Sequence, residues 1–361
     1  MEKFESFWNG IFQGKKILIT GHTGFKGSWL SILLYKLGAE LYGYALEPPT
    51  NPNLYSQAKI DRFITSYIEN ILDFEKLLKV IKEVKPDVII HMAAQPLVKE
   101  SYENPVETFS TNIMGTVNLL EAIRLTQSVK AVINVTTDKC YENKEWHWGY
   151  RENEPLGGYD PYSNSKACSE LVTSSYRNSF FNPLNYKEHG IAVATARAGN
   201  VIGGGDWAKD RLIPDFFRAI EKGNELLIRS PLSIRPWQFV LEPLVGYLTL
   251  AAKLIEYGGE FAEAWNFGPD DIDNKNVEWI ANSICNIWGD GISYKIDSTQ
   301  QLHEATYLKL DCSKAKRKLG WFPKWSIEKT IQSIVEWNKG YINGEDVFQI
   351  TDNQINEFLL T

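Results

Sequence analysis

Tyr162 and Lys166 stand four residues apart in Tyr-Ser-Asn-Ser-Lys, close to one helical turn, so a phenol and an ammonium would share one face. A cation beside a phenol favours the phenolate and draws its pKa toward neutrality. Such a tyrosine can take the proton of an alcohol while a nicotinamide takes the hydride. Thr137, Asp138 and Lys139 precede the pair and put a hydroxyl, a carboxyl and an amine in a row. Tyr-x-x-x-Lys alone is common by chance and is equally readable as an exposed helical pair. It gains weight here from a glycine loop near the start of the chain.

That loop, Gly21-His-Thr-Gly24-Phe-Lys-Gly27, follows the apolar run 16–20 and opens an amphipathic stretch, 28–37. Strand, glycine turn and helix in that order suit a dinucleotide: the glycines allow close backbone approach, and the helix N-terminus offers N–H groups to a pyrophosphate. The bland alternative is a turn that merely needs glycines. A Walker loop does not fit, because no Gly-Lys-Ser/Thr stands at the required spacing.

The elements around these residues alternate. Strands are expected at 16–20, 41–45, 63–68, 86–90, 131–135 and 191–196, with helices at 28–37, 74–84, 105–125 and 161–177. This predicts an α/β protein with a Rossmann-type doubly wound parallel sheet. Beyond Asn200 the texture changes to segments rich in Gly, Pro, Trp and Arg, which predicts a smaller mixed α/β C-terminal lobe for substrate. The expected division is a dinucleotide-binding domain over 1–199 and a substrate lobe over 200–361, with about 236–260 returning to the first domain.

At 361 residues the chain can bury a sizeable core, and 43% apolar with 23% charged residues is ordinary for a globular protein. A net charge of −7 without a basic stripe argues against nucleic-acid binding, yet leaves room for a local arginine pocket around an anionic small molecule. Cys140, Cys168, Cys285 and Cys312 have neither disulfide nor zinc spacing, so no metal site is expected. The N-terminal segment lacks the pattern of a signal peptide, and no run reaches membrane-spanning length. These features predict a cytoplasmic protein.

The Gly-x-x-Gly-x-x-Gly loop, Thr137 and the Tyr162/Lys166 pair, in this order and spacing, resemble the short-chain dehydrogenase/reductase superfamily. The likeness is to its extended, sugar-nucleotide-modifying branch and covers essentially the whole chain. It implies cofactor contacts at Gly21, Thr23, Gly24, Phe25, Lys26, Gly27, Asn70, Ile71, Ala93, Ala94 and Asn112, besides Tyr162 and Lys166. Many NAD-using relatives carry an aspartate at the end of strand two, where this chain has Ala45; Glu47 is the nearest acid for a ribose hydroxyl. The absence of an arginine after strand two favours NAD over NADP. Lys26 keeps NADP open, since a lysine there could meet a 2′-phosphate.

Thr137-Asp138-Lys139 narrows the resemblance. Deoxythymidine- and GDP-type sugar-nucleotide 4,6-dehydratases carry Thr-Asp-Glu at this point, and lysine in the third place is similar to the CDP-glucose 4,6-dehydratases. Longer runs carry the same likeness: Pro48 to Leu54, Arg235 to Pro243, and Leu302-His303-Glu304-Ala305 with Leu308 to Asp311. Phe239 departs from an expected histidine and is read as a packing residue. The resemblance implies catalytic roles for Thr137, Asp138, Lys139, Tyr162 and Lys166, and substrate contacts at Gln95, Asn200, Arg211, Leu212, Arg235 and His303.

The implied reaction oxidises C4 of the hexose, eliminates water across C5 and C6, and returns the hydride to C6, so NAD stays bound and is regenerated. Asp138 would protonate the departing 6-hydroxyl. Lys139 is either the C5 base or an enolate stabiliser, and the residues alone leave this open. Further implications are a homodimer or homotetramer built from the 105 and 161 helices, and a product that feeds dideoxysugars of bacterial surface polysaccharide. A dehydratase of another nucleotide sugar, a nucleotide-sugar 4-epimerase and a non-catalytic NAD-binding scaffold are the competing readings. The epimerase has no use for Asp138, and a scaffold need not have kept Tyr162 and Lys166.

Overall fold

The computed structural model describes residues 7–289, 291–297 and 307–361. Six strands recur along the first 200 residues: β1 (Lys16–Thr20), β2 (Glu40–Ala45), β3 (Ile64–Ile68), β4 (Val88–His91), β5 (Ala131–Val135) and β6 (Ala192–Ala198). A seventh, Ala264–Phe267, returns from the far half of the chain and pairs with β6. All pair in parallel, with β3, β2 and β1 on one side and β4, β5, β6 and Ala264–Phe267 continuing on the other. The order reverses between β1 and β4. In sheets of this type the crevice at the carboxyl ends of those two strands is where a ligand binds.

The strands alternate sides with period two, and the alternation sorts them between two cores. Ile17 and Ile19 of β1, Val88 and Ile90 of β4, and Ala131, Ile133 and Val135 of β5 face one apolar cluster. Leu18, Ile89 and Val132 face the other. The first cluster takes residues from helices Phe25–Lys36, Leu241–Tyr257, Ile327–Ile342 and Val347–Leu360. The second takes residues from Phe74–Val84 and Gly115–Thr126. The sandwich of helices on both faces is the doubly wound α/β architecture expected.

Two helices differ from expectation. The first helix begins at Phe25, inside the glycine loop, because Gly24 serves as its N-cap. The expected helix 105–125 is Pro105–Phe109 followed by a π turn over Ser110–Met114 and then Gly115–Thr126. Such turns within helices often mark functional positions, and this one carries Asn112. Past the Leu241–Tyr257 helix, which packs in the first cluster, the chain re-enters the sheet at Ala264–Phe267.

The remaining strands are short and lie outside the main sheet. Val201–Ile202 pairs with Gln238–Phe239, Ile234–Arg235 with Lys275–Asn276, and Leu226–Ile228 with Tyr294–Ile296. With helices Leu212–Glu221 and Val277–Trp288 they form the smaller mixed lobe over the carboxyl ends of the sheet. Phe239 is fully buried and stacks on Trp325 with ring centroids 4.6 Å apart, which is a packing role.

Candidate active site

The glycine loop is compressed against its neighbours. A Cβ at Gly27 would lie 2.2 Å from the Gly21 carbonyl oxygen, and one at Gly21, where φ is +78°, would lie 2.8 Å from the Ala93 nitrogen. Only glycine fits either place. Thr23 pins the loop to the end of β2 through its hydroxyl, which donates to the Leu46 carbonyl at 2.9 Å. Thr20 Oγ1 accepts the backbone N–H groups of Met92 and Ala93 at 3.1 Å each and so fixes the β4 loop beside it. No side chain caps the Phe25–Lys36 helix. Its first-turn N–H groups are therefore open to an anion at the cleft, as a dinucleotide pyrophosphate requires.

The expected adenosine contacts have mixed geometry. Glu47 is exposed beyond β2. Asn70 uses its side-chain oxygen on the Leu72 N–H at 2.9 Å, while buried Ile71 packs against Gly115. Asn112 has a different part: its amide donates to Ser165 Oγ at 2.8 Å and the Gln95 carbonyl at 3.1 Å, and accepts the Gln95 N–H at 2.9 Å. It ties the segment carrying Ala93 and Ala94 to the Tyr162 helix. Gln95, expected on the substrate, spends its amide on Thr108 Oγ1 at 2.8 Å and on Leu97. That side chain shapes its own loop.

Lys26 departs most from expectation. Its Nζ donates to the Tyr247 hydroxyl at 3.1 Å and lines a cavity shared with Thr137, Asp138, Lys139 and Tyr162. Burial, with Lys166 and Arg211 nearby, pushes its pKa down to about 7, against the pull of Asp138. A lysine among these groups is not placed to meet a 2′-phosphate at the end of β2, so the one feature that favoured NADP falls away.

The cavity has a volume of about 900 Å³ and lies between the sheet edge and the smaller lobe. Asp160 caps the Pro161–Ser179 helix by accepting the Ser163 N–H at 2.9 Å, which aims Tyr162 from the first turn. Thr137 follows β5, and its hydroxyl sits between Asp138 Oδ1, at 2.9 Å, and the Tyr162 phenol. Asp138 is almost wholly buried, and its Oδ2 has no hydrogen-bond partner. A Cβ at Gly199 would come within 3.1 Å of that oxygen and 2.3 Å of Pro236, so glycine keeps the space beside the carboxyl open. A buried, unpaired carboxyl oxygen invites a substrate partner. Lys139 lines the same cavity, half-buried.

Burial pushes the Tyr162 phenol up to about 12, and Asp138 adds to the rise; Thr137 and Arg211 oppose it. Lys166 stands one turn further along the same helix. Its Nζ donates to the Val135 carbonyl at 2.8 Å, and burial draws its pKa down to about 8.

On the lobe side Asn200, Arg211, Leu212 and Arg235 all line the cavity. Arg211 is paired with Asp206 at 2.9 Å, and Asn200 presents a buried, unpartnered Oδ1. Arg235 is buried and donates to the Ile234 carbonyl at 3.0 Å. His303 lies outside the described residues. Among the described residues no three His, Cys, Asp or Glu side chains are grouped to hold a metal ion, and no helix is long and apolar enough to cross a membrane.

Thr137, Asp138, Lys139 and Tyr162 thus line one cavity, with Phe25 and Lys26 of the glycine loop beside them. Residues 18–334 match the family profile described as GDP-mannose 4,6 dehydratase. The chain belongs to that family. Among its relatives is the CDP-glucose 4,6-dehydratase of Salmonella typhimurium, 55% identical over 98% of both chains. A dTDP-glucose 4,6-dehydratase of Xanthomonas campestris is 26% identical over 91% of this chain and 95% of its own. Among solved structures, a dTDP-glucose 4,6-dehydratase of Streptomyces venezuelae with NAD and TYD bound superposes with a TM-score of 0.77 at 23% identity, covering 92% of this chain and 99% of that one. An epimerase of Methanothermobacter thermautotrophicus gives 0.79 at 22% identity over 94% and 97%. Dehydratase and epimerase structures alike share the fold, so the family's fold alone does not choose between those chemistries.

Several residues that shape the site escaped the motif reading: Tyr247 behind Lys26, Gly199 and Pro236 beside Asp138, and Thr136, Glu170 and Arg197 beneath it. Only Glu170 carried a usable signal, because it lies one helical turn past Lys166 on the same face.

Proposed function

We propose that the protein is an NAD-dependent hydro-lyase that converts CDP-glucose to CDP-4-keto-6-deoxyglucose and water. The observation that carries the reading is the buried Asp138 carboxyl, with its free oxygen, beside the Thr137–Tyr162 pair. An oxidation or epimerisation at C4 needs only the threonine and tyrosine. A buried acid next to them serves the departure of a hydroxyl. The 55% identity to a CDP-glucose 4,6-dehydratase over nearly the full length supports the choice of nucleotide.

NAD fits the glycine cradle and uncapped helix, and when bound it supplies the hydride acceptor and donor. Gly21, Gly24 and Gly27 would hold its pyrophosphate, and Lys166 its nicotinamide ribose. Thr137 orients the 4-hydroxyl, and Tyr162 removes its proton as the C4 hydride leaves, giving a ketone at C4. The ketone acidifies the C5 proton, and Asp138 delivers a proton to the 6-hydroxyl, which departs as water. Hydride addition at C6 and proton return to C5 complete a cycle with no net oxidation. Lys139, on the same wall, is the amine for the C5 proton or for the enolate charge. Arg235 and Arg211 suit the diphosphate, since a guanidinium can offer two parallel hydrogen bonds to it.

A nucleotide-sugar substrate suits a cytoplasmic location, and exposed Val106 on the Pro105 helix, Met114 in the π turn after it and Leu171 on the Pro161 helix suit pairing of two copies. Incubation with CDP-, dTDP-, GDP- and UDP-glucose, followed by assay of the 4-keto product, tests the assignment. Turnover should be fastest with CDP-glucose and leave no accumulated reduced cofactor. Equal or faster turnover of dTDP-glucose would overturn the nucleotide choice.

A further inference from the structure

Beneath the catalytic wall lies a buried ion pair that the proposed steps do not use. Arg197 on β6 meets Glu170 through two parallel bonds, Nε to Oε1 and Nη2 to Oε2, each 2.9 Å. Both side chains are nearly inaccessible to solvent. Thr136 donates to Oε1 at 2.5 Å and Thr195 to Oε2 at 2.7 Å, so each carboxylate oxygen receives two bonds. The remaining guanidinium nitrogen reaches the Tyr141 hydroxyl at 2.7 Å and the Glu152 carbonyl at 3.0 Å. Tyr141 in turn donates to Asn266 Oδ1 at 2.7 Å on the returning strand.

The connections bracket the catalytic segment. Thr136 immediately precedes Thr137, Tyr141 closes the stretch that holds Asp138 and Lys139, and Glu170 stands one turn past Lys166 on the same helix. Lys166 itself is bonded to Val135, next to Thr136. We propose that Glu170, clamped by Arg197, is a positioning residue that fixes the Thr137–Lys139 segment against the Tyr162 helix and sets a carboxylate one turn from the Lys166 amine. The proposal rests on the roles assigned above to Thr137 and Lys166.

The charges around Lys166 agree with this. Burial lowers its pKa, and Glu170 on its own helix is the main group opposing that; Cys140 past Asp138 acts in the same direction as Glu170. Lys26 from the first helix faces it as a like charge, and His91 on β4 is held neutral by burial with Lys166 adding to the effect. Burial alone would raise the Glu170 carboxyl, but Arg197 and the hydroxyls outweigh it and hold it ionised.

Removing one partner leaves a buried charge alone and risks the fold, whereas replacing both with neutral groups of similar size is tolerated far better. The test therefore compares the wild type, Glu170→Asp, and the double variant Glu170→Gln with Arg197→Met. Competitive acetylation of the full-length protein across pH, read at Lys166 by mass spectrometry, reports the lysine pKa without any substrate. The double variant should titrate lower by about one unit, and Glu170→Asp should restore most of it. The alkaline limb of kcat should move down with it in the double variant, at unchanged KM for CDP-glucose. A folded double variant with a wild-type Lys166 titration overturns the proposal. A wild type that shows the expected titration but no turnover of CDP-glucose counts against the assigned reaction instead.

Discussion

At the scale of single residues the site divides labour between two neighbours. If, as proposed, Tyr162 begins the oxidation and Asp138 serves the elimination, their variants should fail at different steps. Tyr162→Phe is expected to lower kcat by about 10²–10⁴, with no transient reduced cofactor when substrate is mixed in. Asp138→Asn should still oxidise C4 and then stall, so reduced cofactor should build up to about one equivalent. A transient-free Asp138→Asn variant would mean that the carboxyl acts before elimination. Lys166 sets a limit on pH: burial brings its pKa to about 8, so its charge, and with it kcat, should fade as pH rises past that value. Lys166→Arg, which stays protonated, should extend activity to higher pH if the charge alone matters. Part of this was readable from the chain. Tyr162, Lys166, Thr137 and Asp138 announce themselves by type and spacing. What burial does to them is not visible there: Lys26 turns inward only because Tyr247, more than two hundred residues away, supplies a partner.

At the scale of elements, the loop and the anchors of the C-terminal helices carry distinct predictions. Gly27→Ala puts a methyl group 2.2 Å from the Gly21 carbonyl, so the loop must open. The variant should remain folded yet fail to retain NAD, measured by cofactor content after gel filtration. Glu242 is buried in the Leu241–Tyr257 helix and accepts the N–H groups of Lys324 and Trp325 at 2.9 and 2.8 Å, just ahead of the Ile327–Ile342 helix. Burial pushes its carboxyl up to about 7. A raised acid is stabilising below its unfolded pKa, and that contribution is lost as pH climbs through about 7. Glu242→Gln keeps the acceptor oxygen and cannot ionise. It should match the wild type near pH 4 and exceed it near pH 8 by at most about 3 kcal/mol, as thermal unfolding across pH would record. The strands of the first half were legible because fully buried parallel strands read as continuous apolar runs. The Ala264–Phe267 strand was not, since four residues with an asparagine among them carry no period of their own. The π turn at Asn112 leaves no local signature either, because it arises from packing rather than from composition.

At the scale of the molecule, the sheet supplies a reversal point and the second half of the chain supplies a roof. In the proposed cycle, oxidation, loss of water and hydride return occur in the one cavity between them, so the cofactor can be reduced and reoxidised without release. If two copies pair through the Pro105 and Pro161 helices, Leu171→Glu should shift the protein to a monomer in sedimentation while leaving the thermal transition nearly unchanged. The central claim is that one hydride leaves C4 and returns to C6 of the same sugar. CDP-glucose deuterated at C4, turned over by the NAD-loaded protein, should give a 4-keto-6-deoxy product with deuterium at C6 by NMR and mass spectrometry, and no net reduced cofactor. Deuterium retained at C4 of an epimer, or collected in free reduced cofactor, would contradict the account.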